Sequence, residues 1–554
     1  MDRPSRALSP FRLTPAALLL VVIAAAVPQL GSSCTSTVPV EVRDADTGQL
    51  IPAKISVFNP DTGASMGLAS GSGGNLALVF ANRIYLGGGQ GQIVLPTGRY
   101  DLWASRGIEY TIDHRVVDLS TTTSISFALS RVVDTTGYLS ADFHIHARPS
   151  FESVLDPGGL PSLPDRVVHF VTEGIEVMGS SDHDCVVDYA PSIASLGLGG
   201  AVTSIVGVEA TPGVNAFPDG HGNCDQLGPT GPPGSETGHW NAFPISPAVT
   251  YDTTADSGAT VSAATIYDML RGFGGPATLV QLNHPYFTSN IGNIGWFDQS
   301  RFDPTVPVPP VWPGSTTPKN AFLRRPSVVP GSPTQGLDFD AMELWAGGSV
   351  VQGRPTRAAW WSLLSQGFLK IATANSDSHQ QDMTAGFPRN LVWLGTDDPT
   401  QVTPEQVAGA VRAGKVVGTT GPVPSIRVAG VGMGELATTT DGTVTVELSV
   451  QAAPWVPVDE VRLIVNGQVA RTISLTPAPD PAPVLRYSGT ETLALTRDAW
   501  IVVEAGAALP ADPTQEPPVP PAYAKVAPGF SPLSFTNPVF VDVDGNGRFD
   551  APGL

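Results

Sequence analysis

The chain has 554 residues, of which 59 are Gly and 53 Pro, and only 14% are charged. The length calls for more than one hydrophobic core, and the composition fits a turn-rich, β-containing protein rather than a coiled coil or a disordered chain. With 30 Lys and Arg against 50 Asp and Glu the net charge is -20, which argues against a protein that grips a nucleic-acid backbone.

Arg3, Arg6 and Arg12 precede the apolar run from Ala16 to Val27, which is too short to span a bilayer comfortably, and small residues follow up to Cys34. Residues 1–34 therefore read as an export signal. Leu30 stands four positions before Cys34, one more than in a bacterial lipoprotein signal, so a lipid anchor at Cys34 and plain secretion both stay open. Either route predicts a place in the periplasm, at the cell surface or outside the cell, with a membrane reached only through that anchor. Export also permits a disulfide between Cys185 and Cys224; the alternative is two unpaired buried thiols.

Over 35–133 short alternating runs lie between Gly and Asp turns, as in "VPVEVRDADTGQLIPAKISVFN". They predict a small accessory β-sandwich without a catalytic cluster. From Tyr138 to Pro422 helical segments such as "RPTRAAWWSLLSQG" and "TPEQVAGAVRAG" alternate with apolar runs such as "IEVMGS", "ATLVQLN", "FDAMELW" and "FLKIATAN". Alternation of that kind predicts βαβ units and a parallel sheet or barrel, with chemistry where strands end. The Pro-rich stretch 302–336 is expected to be a surface excursion over the site, outside the core. Residues 423–554 form a second β-rich region cut by Pro-rich segments. Its tail spaces Asp542, Asp544 and Asn546 like the start of a calcium loop, but Gly553 stands where an EF-hand needs Glu. Calcium and an Asx-rich turn both remain open there.

The strand ends of 138–422 carry one kind of residue. "FHIH" puts His144 and His146 on one strand face, and "SSDHD" adds Asp182, His183 and Asp184. Glu209, His284 and the pair Asp377 and His379 follow at later strand ends, with Glu152 and His239 between. Any one of these alone is more simply a cap or a satisfied polar group. As a set, imidazoles and carboxylates at successive strand ends point to bound zinc, manganese or iron, with a carboxylate bridging two ions. His114, His169 and His221 fall outside the set, although His221 rivals His239 from the same Gly- and Pro-rich loop. No G-x-S-x-G or H-E-x-x-H motif occurs.

The order H-x-H, S-D-H, G-x-E, G-H-x-N, N-H-P and S-D-x-H resembles the polymerase and histidinol phosphatase (PHP) superfamily of metallohydrolases. "HARPSFES", "DRVVHFVTEGIEVMGSSDHD" and "GHWNAFP" are similar to its exported CehA/McbA-like branch. The resemblance covers about 138–422 and implies a distorted (β/α)7 barrel, flanked here by the N-terminal β-sandwich and the C-terminal β-rich region. It implies two to three divalent metals. One would take His144, His146, Glu209 and Asp377; a second Glu152, His183 and His379; a third would share Glu209 and add His239 and His284.

The function expected from this is an exported hydrolase acting on a small or polymeric ester. The superfamily implies phosphoesters, and the branch also includes carbamate and amide cleavage. Arg389 is expected to steady developing charge, with Arg148 a weaker candidate, while Asp182 and Asp184 are expected to orient ligands or carry protons. The rival reading is a non-catalytic metal- or glycan-binding surface protein on the same scaffold.

Overall fold

Val38, Val40 and Val42 alternate with the outward Thr37 and Pro39, so the strand Thr35–Asp44 buries one face. It sits between Gln90–Pro96 and Ile125–Leu129 in a three-stranded sheet. A six-stranded sheet built around Ala53–Phe58 shares its core, which includes Ile55, Val57, Ile93 and Phe127. The computed structural model describes residues 35–68, 71–72, 76–150, 159–211, 238–248, 262–289, 292–475 and 481–554. Among them 16% are helical and 35% in strands, so sheets carry the fold and helices cover them.

Two sheets make the central region. In the first, Thr203–Ile205, Val177–Gly179 and Tyr138–Asp142 run parallel, and Arg389–Trp393 joins Tyr138–Asp142 antiparallel. The second has the order Val208–Ala210, Trp240–Phe243, Leu279–Leu282, Ala341–Ala346, Ile371–Asn375, with only the last three parallel. The chain passes between sheets at Gly207, where an added Cβ would lie 2.5 Å from Ser180 O and 2.8 Å from Ala242 O. A side chain there would push the sheets apart.

The class is mixed α/β, but no closed barrel forms among the described residues. The two sheets touch through single bridges, His183 with Glu209 and Ile145 with Ser378. Trp240–Phe243 is antiparallel to both neighbours. The first sheet, instead of curling back, continues through Val416–Thr419 into Leu533–Thr536, Ala499–Gly506, Glu460–Val465 and Gln468–Ser474. The C-terminal strands thus extend the sheet that carries His144 and His146.

That continuation is anchored by apolar contact. Phe535 is fully buried, with its ring 5.1 Å from Trp345 and 6.0 Å from Trp360, over Gly418. Glu516 caps helix Val350–Ser365, accepting from Val350 N at 2.9 Å and Val351 N at 3.1 Å. The Pro-rich stretch corrects its expectation. Phe302, Phe322 and Leu323 lie in the same core as Trp296, because three large apolar side chains outweigh the lack of regular structure. Among the described residues no helix is long and apolar enough to cross a membrane.

Phe535→Ala is expected to destabilise the protein by about 3–5 kcal/mol, the usual loss for a buried aromatic. Chemical denaturation checks this, and a loss under about 1 kcal/mol would show the two regions to be independently stable.

Candidate metal centre

The strand Tyr138–Asp142 ends in a fully buried aspartate whose Oδ1 accepts from His144 N at 3.1 Å and Ser376 N at 3.2 Å. Burial pushes the Asp142 carboxyl up to about 7 against these amide bonds. Three further bonds fix the next residues: Ile145 N to Ser181 Oγ at 2.7 Å, His146 N to Ser378 O at 3.0 Å, and Ala147 N to Asp182 Oδ1 at 2.7 Å. Both imidazoles are thereby held on one side of an extended segment, fully buried.

Glu209 is the centre. Its Oε2 lies 3.2 Å from His144 Nε2, 3.3 Å from His146 Nε2 and 3.0 Å from His183 Nδ1. Its Oε1 lies 3.1 Å from His239 Nδ1 and 3.5 Å from His284 Nε2. Asp377 Oδ1 is 3.1 Å from His144 Nε2, 3.2 Å from His146 Nε2 and 3.4 Å from His379 Nδ1. Asp377 and His379 keep side-chain exposures of 23% and 19%, so the cluster opens on their side among the described residues. Asp184, His284 and Asp377 adopt positive φ of 50°, 27° and 47°, a strain that non-glycine residues tolerate mainly at functional sites.

Four overlapping sets offer donor atoms within 4.8 Å of one another: His146, His183, His379; His144, His146, Asp377; His144, Glu209, His284; and His183, Glu209, His239. His146 Nε2, Glu209 Oε2 and Asp377 Oδ1 are buried, converge, and form no hydrogen bond of good geometry. Buried polar atoms are normally paired, and convergent imidazole and carboxylate donors suit a divalent transition ion. The residues present therefore fit bound metal. Eight of the expected ligands are brought together; Glu152 lies outside the described residues, as do His221 and Cys224.

A supporting layer sets which nitrogen points inward. His144 Nδ1 faces Glu343 Oε1 at 2.7 Å and His146 Nδ1 faces Ser150 Oγ at 2.9 Å, leaving each Nε2 toward Glu209, whereas His183 Nδ1 lies between Glu209 and Thr211 Oγ1, the latter at 2.7 Å. Glu343 Oε2 accepts from His284 N at 2.7 Å, and Asn283 Nδ2 donates to Glu209 Oε1 at 2.9 Å. Glu343 was not anticipated from the sequence. Its signal was a carboxylate inside the otherwise apolar segment "AMELWA", which a buried partner explains.

Electrostatics follow from this packing. Burial pulls the His144 imidazole down, but Asp377, Glu343 and Glu209 outweigh it and hold the ring well above its usual value. Burial and the neighbouring His379 and His183 hold His146 below the usual value. Burial drives His239 down to about 4. Burial raises Glu209, yet His183, His144 and His239 bring it well below the carboxylate range.

Other expectations come out differently. Arg389 is fully buried, but its Nη1 donates to Glu173 O at 2.7 Å and its Nε to Gly386 O at 2.7 Å, away from the ligands. Its Nη1 also lies 3.4 Å from Ser140 Oγ on the neighbouring strand, so these bonds brace the sheet. Arg148 is exposed. Asp182 and Asp184 accept from the backbone, at Ala147 N and Thr211 N, and shape the ligand loops. Cys185 is disulfide-bonded, which removes the unpaired-thiol alternative; its partner lies outside the described residues. His114 stacks on Trp103 and His169 packs on Tyr85, both outside the cluster. In the tail Asp542 accepts from the amides of Gly545, Asn546 and Gly547, an Asx-rich turn. Asp498 joins Asp542 and Asp544 as a set of carboxylates within 4.8 Å of one another.

Glu343→Gln is expected to weaken metal binding about 10–100-fold with the fold intact, measured by chelator competition; unchanged affinity would remove its orienting role. Metal uptake at pH 7 is expected to release protons, since a raised His144 holds a proton that the ion displaces. The affinity should then fall with falling pH, and calorimetry in buffers of differing ionisation enthalpy reads the release. No protein-family model matches the chain, and no curated protein matches it either.

Proposed function

We propose that the chain is a metal-dependent hydrolase of the PHP superfamily, of the CehA/McbA-like kind, acting on an ester and foremost a phosphoester. One observation carries the reading: five imidazoles from four separate chain segments converge on the buried Glu209, with Asp377 beside them. The partial exposure of Asp377 and His379 favours a catalytic centre over a closed structural one, since catalytic metal sites keep an open position. The distorted (β/α)7 barrel belongs to this proposal, as does the division into a β-sandwich over 35–133, a metallohydrolase domain over 138–422 and a C-terminal region over 423–554.

Zinc, manganese or iron bound by these residues would bring the pKa of water toward neutrality and offset negative charge on an ester oxygen. The chain's own residues do the rest. Glu209 presents both oxygens to different histidines and is placed to be shared between ions. Glu343, Ser150 and Thr211 hold the imidazoles in register. Asp377 and His379 form the rim that a substrate meets first. The depressed His239 stays neutral near pH 7 and keeps a lone pair for a ligand. Export is part of the same proposal and is supported by the disulfide at Cys185, since such bonds persist in oxidising compartments.

Purified protein is expected to contain two or more transition-metal equivalents and to turn over one class in a panel of chromogenic phosphomonoesters, phosphodiesters, carboxylesters, carbamates and anilides. The double variant His144→Ala/His146→Ala should lose both metal and turnover. Metal without turnover on any class would favour a binding protein; calcium alone would sink the proposal.

A further inference from the structure

Helix Leu163–Thr172 carries a charged side chain that the ligand set does not include. Arg166 is fully buried. Its Nε donates to His146 O at 2.8 Å, and its Nη2 to Ser378 O at 3.1 Å and to His379 O. A guanidinium holds its donors in a rigid planar fork, so carbonyls that accept from one guanidinium are kept at a set spacing. His146 and His379 belong to one donor set with His183, and their rings stack at 4.0 Å.

The helix is braced in turn by the N-terminal sheet. Tyr85 lies 4.3 Å from the His169 ring, and the buried Lys54 pairs with Glu173 at the helix end. Arg83, on the same strand as Tyr85, donates to Asp382 O at 2.6 Å, in the loop that follows His379.

We infer that Arg166 is a positioning residue for the metal centre, setting the spacing of His146 and His379, and that the N-terminal sheet is its abutment through Arg83. The inference rests on the metal-centre reading above. Arg166 ties together the main chains of two loops that are far apart in sequence, and each loop brings an imidazole to the same set. The N-terminal module is then part of the site's construction rather than a separate appendage.

The test loads wild type, Arg166→Lys and Arg83→Lys with cobalt(II). It reads stoichiometry, affinity by chelator competition, the visible spectrum of bound cobalt, and the thermal midpoint. Lysine keeps the charge but has no planar fork. Folded Arg166→Lys is expected to bind one cobalt equivalent about tenfold more weakly, the usual scale for a group supporting a ligand, with an altered spectrum. His379→Ala added to it should cost little more, while His284→Ala added to it should cost as much as in wild type. Arg83→Lys should weaken the same equivalent by less, and it decides the matter if Arg166→Lys does not fold. Unchanged affinity and spectrum in the folded variant overturn the inference, and so does equal weakening of every equivalent. Cobalt bound without hydrolysis would remove the hydrolase reading and leave this one standing, whereas a wild type that takes up no cobalt overturns both.

Discussion

Glu209 is fully buried, and its two oxygens lie between 3.0 and 3.5 Å from nitrogens of His144, His146, His183, His239 and His284. Burying an ionised carboxylate costs several kcal/mol or more unless positive charge faces it. Here the compensation comes from residues on separate strand ends. The strand ends must therefore meet before the carboxylate is tolerated, and the core, the supporting layer and the C-terminal strands all bear on that meeting. A cation bound among these groups would relieve the cost directly.

The surrounding layers explain how so polar a centre stays ordered. Glu343, Asn283, Asn241 and Asn375 form a connected buried network under the ligands, which rigidifies a site when each member is paired. Beneath it, the sheet that ends in His144 and His146 runs without interruption into the C-terminal strands, and Phe535 locks the seam against Trp345 and Trp360. Arg166 and Arg83 bring the N-terminal sheet to bear on the same two loops.

The ligand set was largely legible because strand ends are local. "FHIH", "SSDHD", "GVE", "LNHP" and "NSDSH" each close a recognisable apolar run, and the seven expected ligands they carry meet, joined by His239, which precedes its strand. The role expected for Arg389 was not legible. The residue follows a ligand motif closely in sequence, yet its guanidinium donates to the carbonyls of Gly386 and Glu173, a choice of partners that no local spacing encodes. Glu343 and Arg166 were missed for the converse reason. Each sits in a segment that looks like plain core or plain helix, and its partners come from chain 20 to 213 residues away. The buried Phe302, Phe322 and Leu323 show the same limit, since proline content describes backbone freedom and not what apolar side chains find to pack on.

The sequence by itself determined the period-2 strands, the turns, the alternation of central helices with strands, and which residue types stand at the strand ends, because these depend on neighbours a few positions apart. The tertiary structure alone decided that the central sheet extends into the C-terminal strands, that Glu209 takes the middle of the cluster, and that arginines split between bracing the fold and bracing the site. Those outcomes depend on sheet order and on which distant carbonyls and carboxylates a buried side chain reaches, and no local spacing encodes either.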